Sequence, residues 1–140
     1  MDLNVEVQAQ SQWVEIEIFS ENMDIEIKKA ELLWGKFHKP GNKSNEISSD
    51  TVNKTKISSG TKSKIASCGR ADTSSGTEGK FEIYHDDKWL ATYKWDCPWA
   101  GSNSHSLSVT QDNDYKIDKE GGNISDGALG NIRITCIKVG

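Results

Sequence analysis

Proline, cysteine and long apolar runs are all scarce in this sequence of 140 residues. Only two prolines and three cysteines occur, and hydrophobic residues make up 34% of the chain. No apolar run approaches the roughly 20 residues that a membrane-spanning helix needs, which excludes that class of protein. A chain of this length buries roughly two-thirds of its unfolded surface, so it folds without disulfides or a bound metal. We therefore expect one water-soluble domain over residues 1–140.

The cysteines are too widely spaced for a metal or redox motif. No Cys-x-x-Cys pair occurs, and no histidine lies at zinc-finger spacing from a cysteine. Nothing resembles a nucleophile elbow or a metal-binding His pair, so the sequence predicts no enzyme, no metal and no cofactor. We expect buried free thiols at Cys68, Cys97 and Cys136, with a Cys68–Cys97 or an intermolecular bridge after release as the alternative.

A basic excess is also missing. The chain has 17 basic and 21 acidic side chains, for a formal net charge of −4. Nucleic-acid binders need a basic excess to displace condensed counterions, so we expect no nucleic-acid partner. The same deficit argues against simple adhesion to anionic lipid through clustered Lys and Arg. If the chain binds membranes, it should do so by recognising a headgroup.

The amino terminus lacks the basic region and apolar run of a secretory signal. Residues 1–6 read MDLNVE, with acidic side chains at two positions. This pattern predicts synthesis in the cytoplasm without a classical signal peptide, followed by release through lysis or an unconventional route.

Alternation of apolar and polar residues is the main pattern that is present. It runs through residues 14–18, 23–27, 81–83, 89–95 and 132–136. Such alternation predicts antiparallel strands with one face on a core. We expect an all-β, single-domain antiparallel sandwich of about seven to nine strands. Residues 14–18 with 23–27, and 81–83 with 89–91, should form hairpins.

One long polar stretch interrupts the alternation. Residues 42–64 hold five lysines and many Ser and Thr, with Ile47, Val52 and Ile57 as the apolar positions. This composition predicts a surface excursion with at most one weak strand.

Tryptophan is abundant, with five in the chain. Its ring suits the level of lipid headgroups, and its face attracts quaternary ammonium groups. Trp89 and Trp95 share one face of a predicted strand, which favours a place in the core. Trp99 follows Cys97-Pro98 in a predicted loop, where a large ring is more often used for binding. For Trp13 and Trp34, core and rim positions are equally consistent with the sequence.

A glycine-rich loop covers residues 68–79. It contains neither a P-loop lysine nor a dinucleotide fingerprint. Its Arg70 and Asp72 indicate a structural clamp within a turn. The alternative is a site where Arg70 and backbone N–H groups bind one phosphodiester.

Several of these motifs together resemble the aegerolysin family, in order and in spacing, from about residue 12 to the end. The Trp-Asp-Cys-Pro-Trp block is the most specific of them. The matching segments are Gln12-Trp13-Val14, Trp34-Gly35-Lys36, Cys68-Gly69-Arg70 with Asp72 and Ser75-Gly76-Thr77, Trp95-Asp96-Cys97-Pro98-Trp99, and Gly127-Ala128-Leu129-Gly130.

The resemblance implies a non-enzymatic β-sandwich that binds a membrane lipid, either a sphingolipid or another phospholipid headgroup, in some relatives together with a sterol. It also implies a targeting role in a two-component cytolytic and hemolytic toxin, whose larger perforin-like partner forms the pore. Some bacterial relatives belong to insecticidal pairs, and self-association into homo-oligomers is compatible with this role. The lipid site implied here consists of Trp13, Trp34, Lys36, Arg70, Asp72, Ser75, Trp95, Asp96 and Trp99.

At two positions the sequence departs from the family pattern, so the resemblance does not specify which lipid is bound. Some relatives carry an acidic residue at the position of Ser75, and lipid-binding relatives carry a lysine after the Pro-Trp motif, where this chain reads Ala-Gly-Ser-Asn-Ser over residues 100–104. A rival interpretation is a small carbohydrate-binding sandwich, in which the same tryptophans stack on glycans. A third is a structural or developmental surface protein.

Overall fold

The computed structural model of the chain describes residues 10–71 and 73–140, which form two stacked β-sheets. This architecture confirms the all-β sandwich. The described residues hold eleven strands and a short helix, α1 (Ser49–Val52). The expected count of seven to nine strands is wrong, because residues 36–57 supply three short strands that their polar composition does not indicate. The strands are β1 (Trp13–Glu21), β2 (Ile25–Trp34), β3 (Lys36–Lys39), β4 (Asn42–Ile47), β5 (Lys56–Ile57), β6 (Lys62–Cys68), β7 (Thr77–His85), β8 (Lys88–Cys97), β9 (Ser104–Val109), β10 (Tyr115–Gly121) and β11 (Gly130–Lys138).

The first sheet has the strand order β10-β11-β1-β6-β3-β4, and the second has β5-β2-β7-β8-β9. One pair departs from the expected antiparallel arrangement, because β1 and β11 run parallel from Val14↔Gly130 to Glu21↔Ile137. Parallel neighbours need a crossover between them. The crossover here is almost the whole chain, and it brings the two ends of the described sequence side by side.

The core lies between the sheets and is built by the alternation seen in the sequence. Val14, Ile16 and Ile18 of β1 are each 0% exposed, while the glutamates between them are half-buried on the outer face. Each buried aliphatic side chain contributes roughly 1.5–3 kcal/mol to folding. The opposing sheet supplies the complementary side chains Ile25, Ile27, Phe81, Ile83, Ala91, Tyr93 and Trp95.

The expected hairpin between residues 14–18 and 23–27 is wrong. β1 pairs with β6 and β11, whereas β2 pairs with β5 and β7. The turn at Asn22, with φ of +64°, carries the chain from one sheet to the other. Alternation identifies an apolar face, but it does not say whether two such faces lie side by side or stack across a core. The β7–β8 hairpin is confirmed, with Ile83 opposite Ala91.

The core position expected for Trp89 is also wrong. The β7–β8 register shifts at Tyr84, and both Leu90 and Ala91 are buried. A bulge of this kind moves the residues beyond it to the other face. Trp89 is therefore half-buried, and its Nε1 donates a hydrogen bond to the Thr92 hydroxyl at 2.9 Å.

Residues 42–64 are more regular than their composition predicts. They contain β4, α1, β5 and the start of β6, so the expectation of at most one weak strand is wrong. Val52 and Ile57, 3% and 1% exposed, anchor the segment in the core. Its strands β4 and β5 lie at the sheet edges, where lysine and other polar side chains discourage pairing with another chain.

Cys68, Cys97 and Cys136 are buried and carry free thiols. Burial raises the pKa of all three thiols, in the case of Cys136 to about 12. No helix among the described residues has the length and apolarity to cross a bilayer.

Candidate functional site

The ends of several strands bring the separated sequence motifs to one end of the sandwich, which we call the aromatic end. In the first sheet, Cys68 pairs with both Trp13 and Lys36. In the second sheet, Glu78 pairs with both Trp34 and Asp96. Eight of the nine residues expected in the lipid site are described, and they lie at this end or in the loops attached to it. The ninth, Asp72, lies outside the described residues.

Gly35 joins the two sheets at the aromatic end. A β-carbon at this position would lie 2.6 Å from the Cys68 carbonyl oxygen and 2.8 Å from Cβ of Thr77, and φ is +94°. Both the left-handed backbone and the lack of space require glycine. The close crossing places Trp34 on the second sheet and Lys36 on the first, two residues apart.

A buried chain of hydrogen bonds ties the sheets together beside Gly35. The Trp95 indole N–H donates to the Thr77 hydroxyl at 3.1 Å, and the Ser67 hydroxyl donates to the Lys36 carbonyl at 2.8 Å. The Ser67 and Thr77 hydroxyl oxygens are 2.6 Å apart. The Ser67 hydroxyl has a single hydrogen, which it donates to the Lys36 carbonyl, so the Thr77 hydroxyl must be the donor in its contact with Ser67. The chain therefore runs in one direction, from Trp95 to the backbone of β3.

Two buried amides hold the loops that surround the aromatic end. With its amide nitrogen turned to donate, Gln12 reaches the Gly127 carbonyl at 2.8 Å and the Pro98 carbonyl at 3.1 Å. Asn103 donates to the carbonyls of Asn123 and Gly127, at 2.9 Å each. The loop that carries Trp99 is thus fixed to the sandwich frame.

Trp34 is the most exposed of the described tryptophans, at 59%, and its neighbour Leu33 is 70% exposed. Their exposure results from a register shift, since Leu32 pairs with Gly79 and Trp34 with the adjacent Glu78. Leu33 is the extra residue of this bulge. Sequence analysis missed Leu33; the break in alternation at Leu32-Leu33-Trp34 was the available signal.

The other two candidate rim tryptophans, Trp13 and Trp99, are half-buried. Trp13 opens β1, and the Lys43 ammonium lies 5.4 Å from its ring centroid. Trp99 lies in a bend directly after β8, in a loop as expected.

Arg70 forms a two-pronged ion pair with Glu46, at 2.9 and 2.7 Å. The hydrogen bonds from Arg70 lower the pKa of the Glu46 carboxyl. Both side chains are nearly half exposed, so the pair contributes at most about 1 kcal/mol. The pair borders a cavity of about 280 Å³ that Lys36 also lines. Ser75, in the same loop, shares a 2.7 Å hydrogen bond with Thr73.

A groove of about 730 Å³ lies along the second sheet at the aromatic end. Two like-charged cross-strand pairs line it, Glu78 with Asp96 and Lys80 with Lys94. Burial and the neighbouring Asp96 raise the pKa of Glu78. Like charges directly opposite each other cost stability. Lys80 has a counter-charge within the protein, because its ammonium lies 3.6 Å from the Glu31 carboxylate. The acidic pair, Glu78 and Asp96, is therefore the one that favours a counter-charge from outside. Trp95 borders the groove but is only 2% exposed, which makes it a core residue that supports Asp96.

No grouping of acidic, His or Cys side chains suited to a metal ion occurs within residues 10–71 and 73–140. The chemistry of the aromatic end is therefore that of aromatic rings, hydrogen-bonding groups and charges of both signs.

Comparison with known proteins gives a consistent set of relatives. The family model described as Aegerolysin matches residues 11–139. The crystal structure of IP-1A from Alcaligenes faecalis is similar at 47% identity and a TM-score of 0.93, with 98% of each chain covered.

Two fungal proteins are similar in sequence. Asp-hemolysin from Aspergillus fumigatus is 35% identical over 131 residues, covering 91% of this chain and 94% of that protein. Ostreolysin A6 from Pleurotus ostreatus is 35% identical over 137 residues, covering 94% and 99%.

The contrast between Trp95 and Trp34 can be tested by unfolding. We expect Trp95→Ala to lower the free energy of unfolding by about 3–5 kcal/mol, because it removes a core ring. Trp34→Ala should change it by less than about 0.5 kcal/mol, because its ring is exposed. Urea denaturation followed by circular dichroism measures both. Equal losses of unfolding free energy in the two variants would contradict the assignment of Trp95 to the core and of Trp34 to the surface.

Proposed function

The chain belongs to the aegerolysin family, and on that basis we propose that it is the membrane-lipid-binding, targeting component of a two-component cytolytic toxin. In this proposal the aromatic end of the sandwich meets the bilayer. The name of one relative, Asp-hemolysin, supports the link to membrane damage.

The observation that carries the proposal is the exposed pair Leu33 and Trp34. These two adjacent large apolar side chains, 70% and 59% exposed, lie at a bulge in β2 at the aromatic end of the sandwich. Exposed apolar side chains gathered in one place mark surfaces that meet a partner or a membrane. Tryptophan is favoured at the boundary between headgroups and acyl chains, and Leu33 adds apolar area beside it.

The groove beside this pair suits a lipid headgroup. Its acidic pair, Glu78 and Asp96, attracts an ammonium group. Lys94, which lies opposite Lys80 in the ladder, attracts a phosphate. A sphingolipid or another phospholipid carries groups of this kind. Trp34 pairs with Glu78 in the strand ladder. In this proposal its ring face adds to the attraction for a cation.

The remaining site residues complete the lipid-binding surface in this proposal. Trp99 and Trp13 lie at the membrane-facing rim, and Lys36, Arg70 and Ser75 supply hydrogen bonds from the adjoining loops. Asp72 belongs to the same proposed set. A sterol in the bilayer would act by controlling how accessible the headgroup is.

The pore is proposed to come from a larger perforin-like partner. The toxin would be made in the cytoplasm without a classical signal, released, and active at the target-cell membrane. An insecticidal pair is one form of such a system, and homo-oligomers on the membrane would increase the avidity of recruitment.

Liposome sedimentation tests lipid recognition by the aromatic end. We expect binding to one class of zwitterionic headgroup that changes little between low and high salt, because the chain has a net charge of −4 and no basic excess. Trp34→Ala and Leu33→Ser should each weaken binding at least about tenfold, the equivalent of ~1.4 kcal/mol.

The matched control is Val139→Ala, because Val139 is also exposed, at 61%, but follows the opposite end of β11. Equal effects from the control and the two aromatic-end variants, or a steep loss of binding with salt, would contradict the proposal.

Dye release from liposomes of the preferred lipid tests the targeting role. We expect the chain alone to bind without release, and release to begin only when a perforin-like protein is added. Controls contain that protein alone. Rapid release by the pure chain at low concentration would overturn the two-component assignment.

A further inference from the structure

The loop between β10 and β11 carries an exposed apolar side chain at the aromatic end. The loop spans residues 122–129, and Ile124 within it is 67% exposed. β11 begins at Gly130, which pairs with Val14, and Val14 directly follows Trp13 at the start of β1. The loop therefore lies at the same end of the sandwich as Trp13.

Hydrogen bonds fix the backbone on both sides of Ile124. The Asn123 side chain donates to the carbonyls of Asp126 and Ala128, at 2.9 and 3.1 Å. It also accepts from the Ser125 N–H at 3.0 Å. Because these bonds close the loop on itself, contact with a partner at Ile124 costs little further backbone freedom.

Asn103 ties this loop to the second sheet, since it directly precedes β9. Its backbone N–H donates to the Ser125 carbonyl at 3.0 Å, and its side chain donates to the carbonyls of Asn123 and Gly127. Asn103 is only 4% exposed, so water does not compete for these bonds. Because the first residues of β9 line one side of the groove, the loop holds a fixed position beside that side.

Ile124 and the exposed pair Leu33 and Trp34 lie on opposite sides of the groove. The pair belongs to β2, whereas the loop is attached beside β9. β2 and β9 are three strands apart in the sheet order, which is roughly 14 Å at about 4.8 Å a strand. Two apolar contacts separated in this way define an orientation, whereas a single contact leaves a rigid body free to pivot.

Exposed apolar side chains are concentrated at the aromatic end. Among the described residues, five large hydrophobic side chains are exposed, and Leu33, Trp34 and Ile124 at this end are three of them. The other two, Val109 and Val139, lie at the opposite end, where β9 and β11 finish. Single exposed apolar side chains are common on protein surfaces, but a group of them at one end marks a contact surface.

The chemistry of the loop fits the boundary of a bilayer. Residues 122–129 contain no Lys or Arg, so attraction to anionic lipid is not what would bring the loop to a membrane. The backbone groups beside Ile124 that are bonded within the protein lose little when they move away from water. The exposed Asp126 carboxylate favours water, which limits insertion to the level of the headgroups.

We propose that Ile124 is a second membrane anchor, which enters the boundary between headgroups and acyl chains on the β9 side of the groove while Leu33 and Trp34 enter on the β2 side. The two contacts together set the tilt of the sandwich and hold the groove over the headgroup. This inference rests on the proposed lipid-binding function.

Sedimentation with vesicles tests the anchor. The vesicles contain sphingolipids or glycerophospholipids with choline or ethanolamine headgroups, each with and without cholesterol, and the composition that sediments the unaltered chain is used. Ile124→Ser should weaken binding about five- to tenfold, because it removes an apolar side chain that the bilayer boundary would bury. Ile124→Leu keeps the apolar area, and Val139→Ser makes a matched change at the other end, so both should stay within about twofold of the unaltered chain. All three variants should keep its thermal midpoint, because both side chains are exposed.

Depth-dependent quenching distinguishes failure of this anchor from failure of the lipid-binding proposal. A fluorophore at Ile124→Cys or at Leu33→Cys should be quenched more by lipid brominated near the headgroup than by lipid brominated near the chain end. The same fluorophore at Val139→Cys should not be quenched. Quenching at position 33 but not at position 124, or unchanged binding by Ile124→Ser, would overturn the second anchor and leave the lipid-binding function standing. Absence of vesicle binding by the unaltered chain would overturn both.

Polarised infrared spectroscopy of the protein on a supported bilayer tests the tilt. At equal surface coverage, the dichroic ratio of the amide I band should differ between Ile124→Ser and the unaltered chain, because the variant keeps only the contact at Leu33 and Trp34. Val139→Ser should match the unaltered chain. Equal ratios in Ile124→Ser and the unaltered chain would overturn the assignment of the tilt to two contacts.

Discussion

The arrangement of the aromatic end depends on the buried hydrogen-bond chain from Trp95 through Thr77 and Ser67 to the Lys36 carbonyl. Its three side chains are at most 2% exposed, so none of these polar groups can turn to solvent instead. An unmade hydrogen bond in such a place costs about 1–3 kcal/mol. The chain crosses from β8 and β7 in one sheet to β6 and β3 in the other. It therefore fixes the separation of the sheets where the polypeptide passes between them at Gly35.

The fixed separation of the sheets at Gly35 explains why the exposed side chains of the aromatic end have defined positions, although they lie at strand ends and in loops. Trp34 and Lys36 flank the crossing at Gly35, and their backbone positions follow from it. Gln12 and Asn103 extend the rigid frame into the loops by satisfying carbonyls there. Leu33 and Trp34 can then remain exposed without disturbing the core, because the buried side chains between the two sheets stabilise the fold.

Much of the frame could be predicted from the sequence, because period-two alternation reports directly on which side chains are buried. The strands around Ile16, Phe81 and Ile134 and the β7–β8 hairpin follow from it. Sheet membership could not be predicted, since β1 and β2 have the same apolar faces whether they pair or stack. The bulges that turned Trp89 outward and exposed Leu33 depend on register with a partner strand. The Arg70–Glu46 pair joins residues 24 positions apart, so it has no local signal in the sequence.

An environment-sensitive fluorophore attached at Leu33→Cys or at Val139→Cys tests most directly whether the aromatic end meets the lipid. The native thiols are buried with raised pKa values, so they should resist labelling in the folded protein. With liposomes that contain brominated lipids, we expect a blue shift and strong quenching at position 33, and neither at position 139. Quenching at position 139 with none at position 33 would show instead that the opposite end of the sandwich faces the membrane.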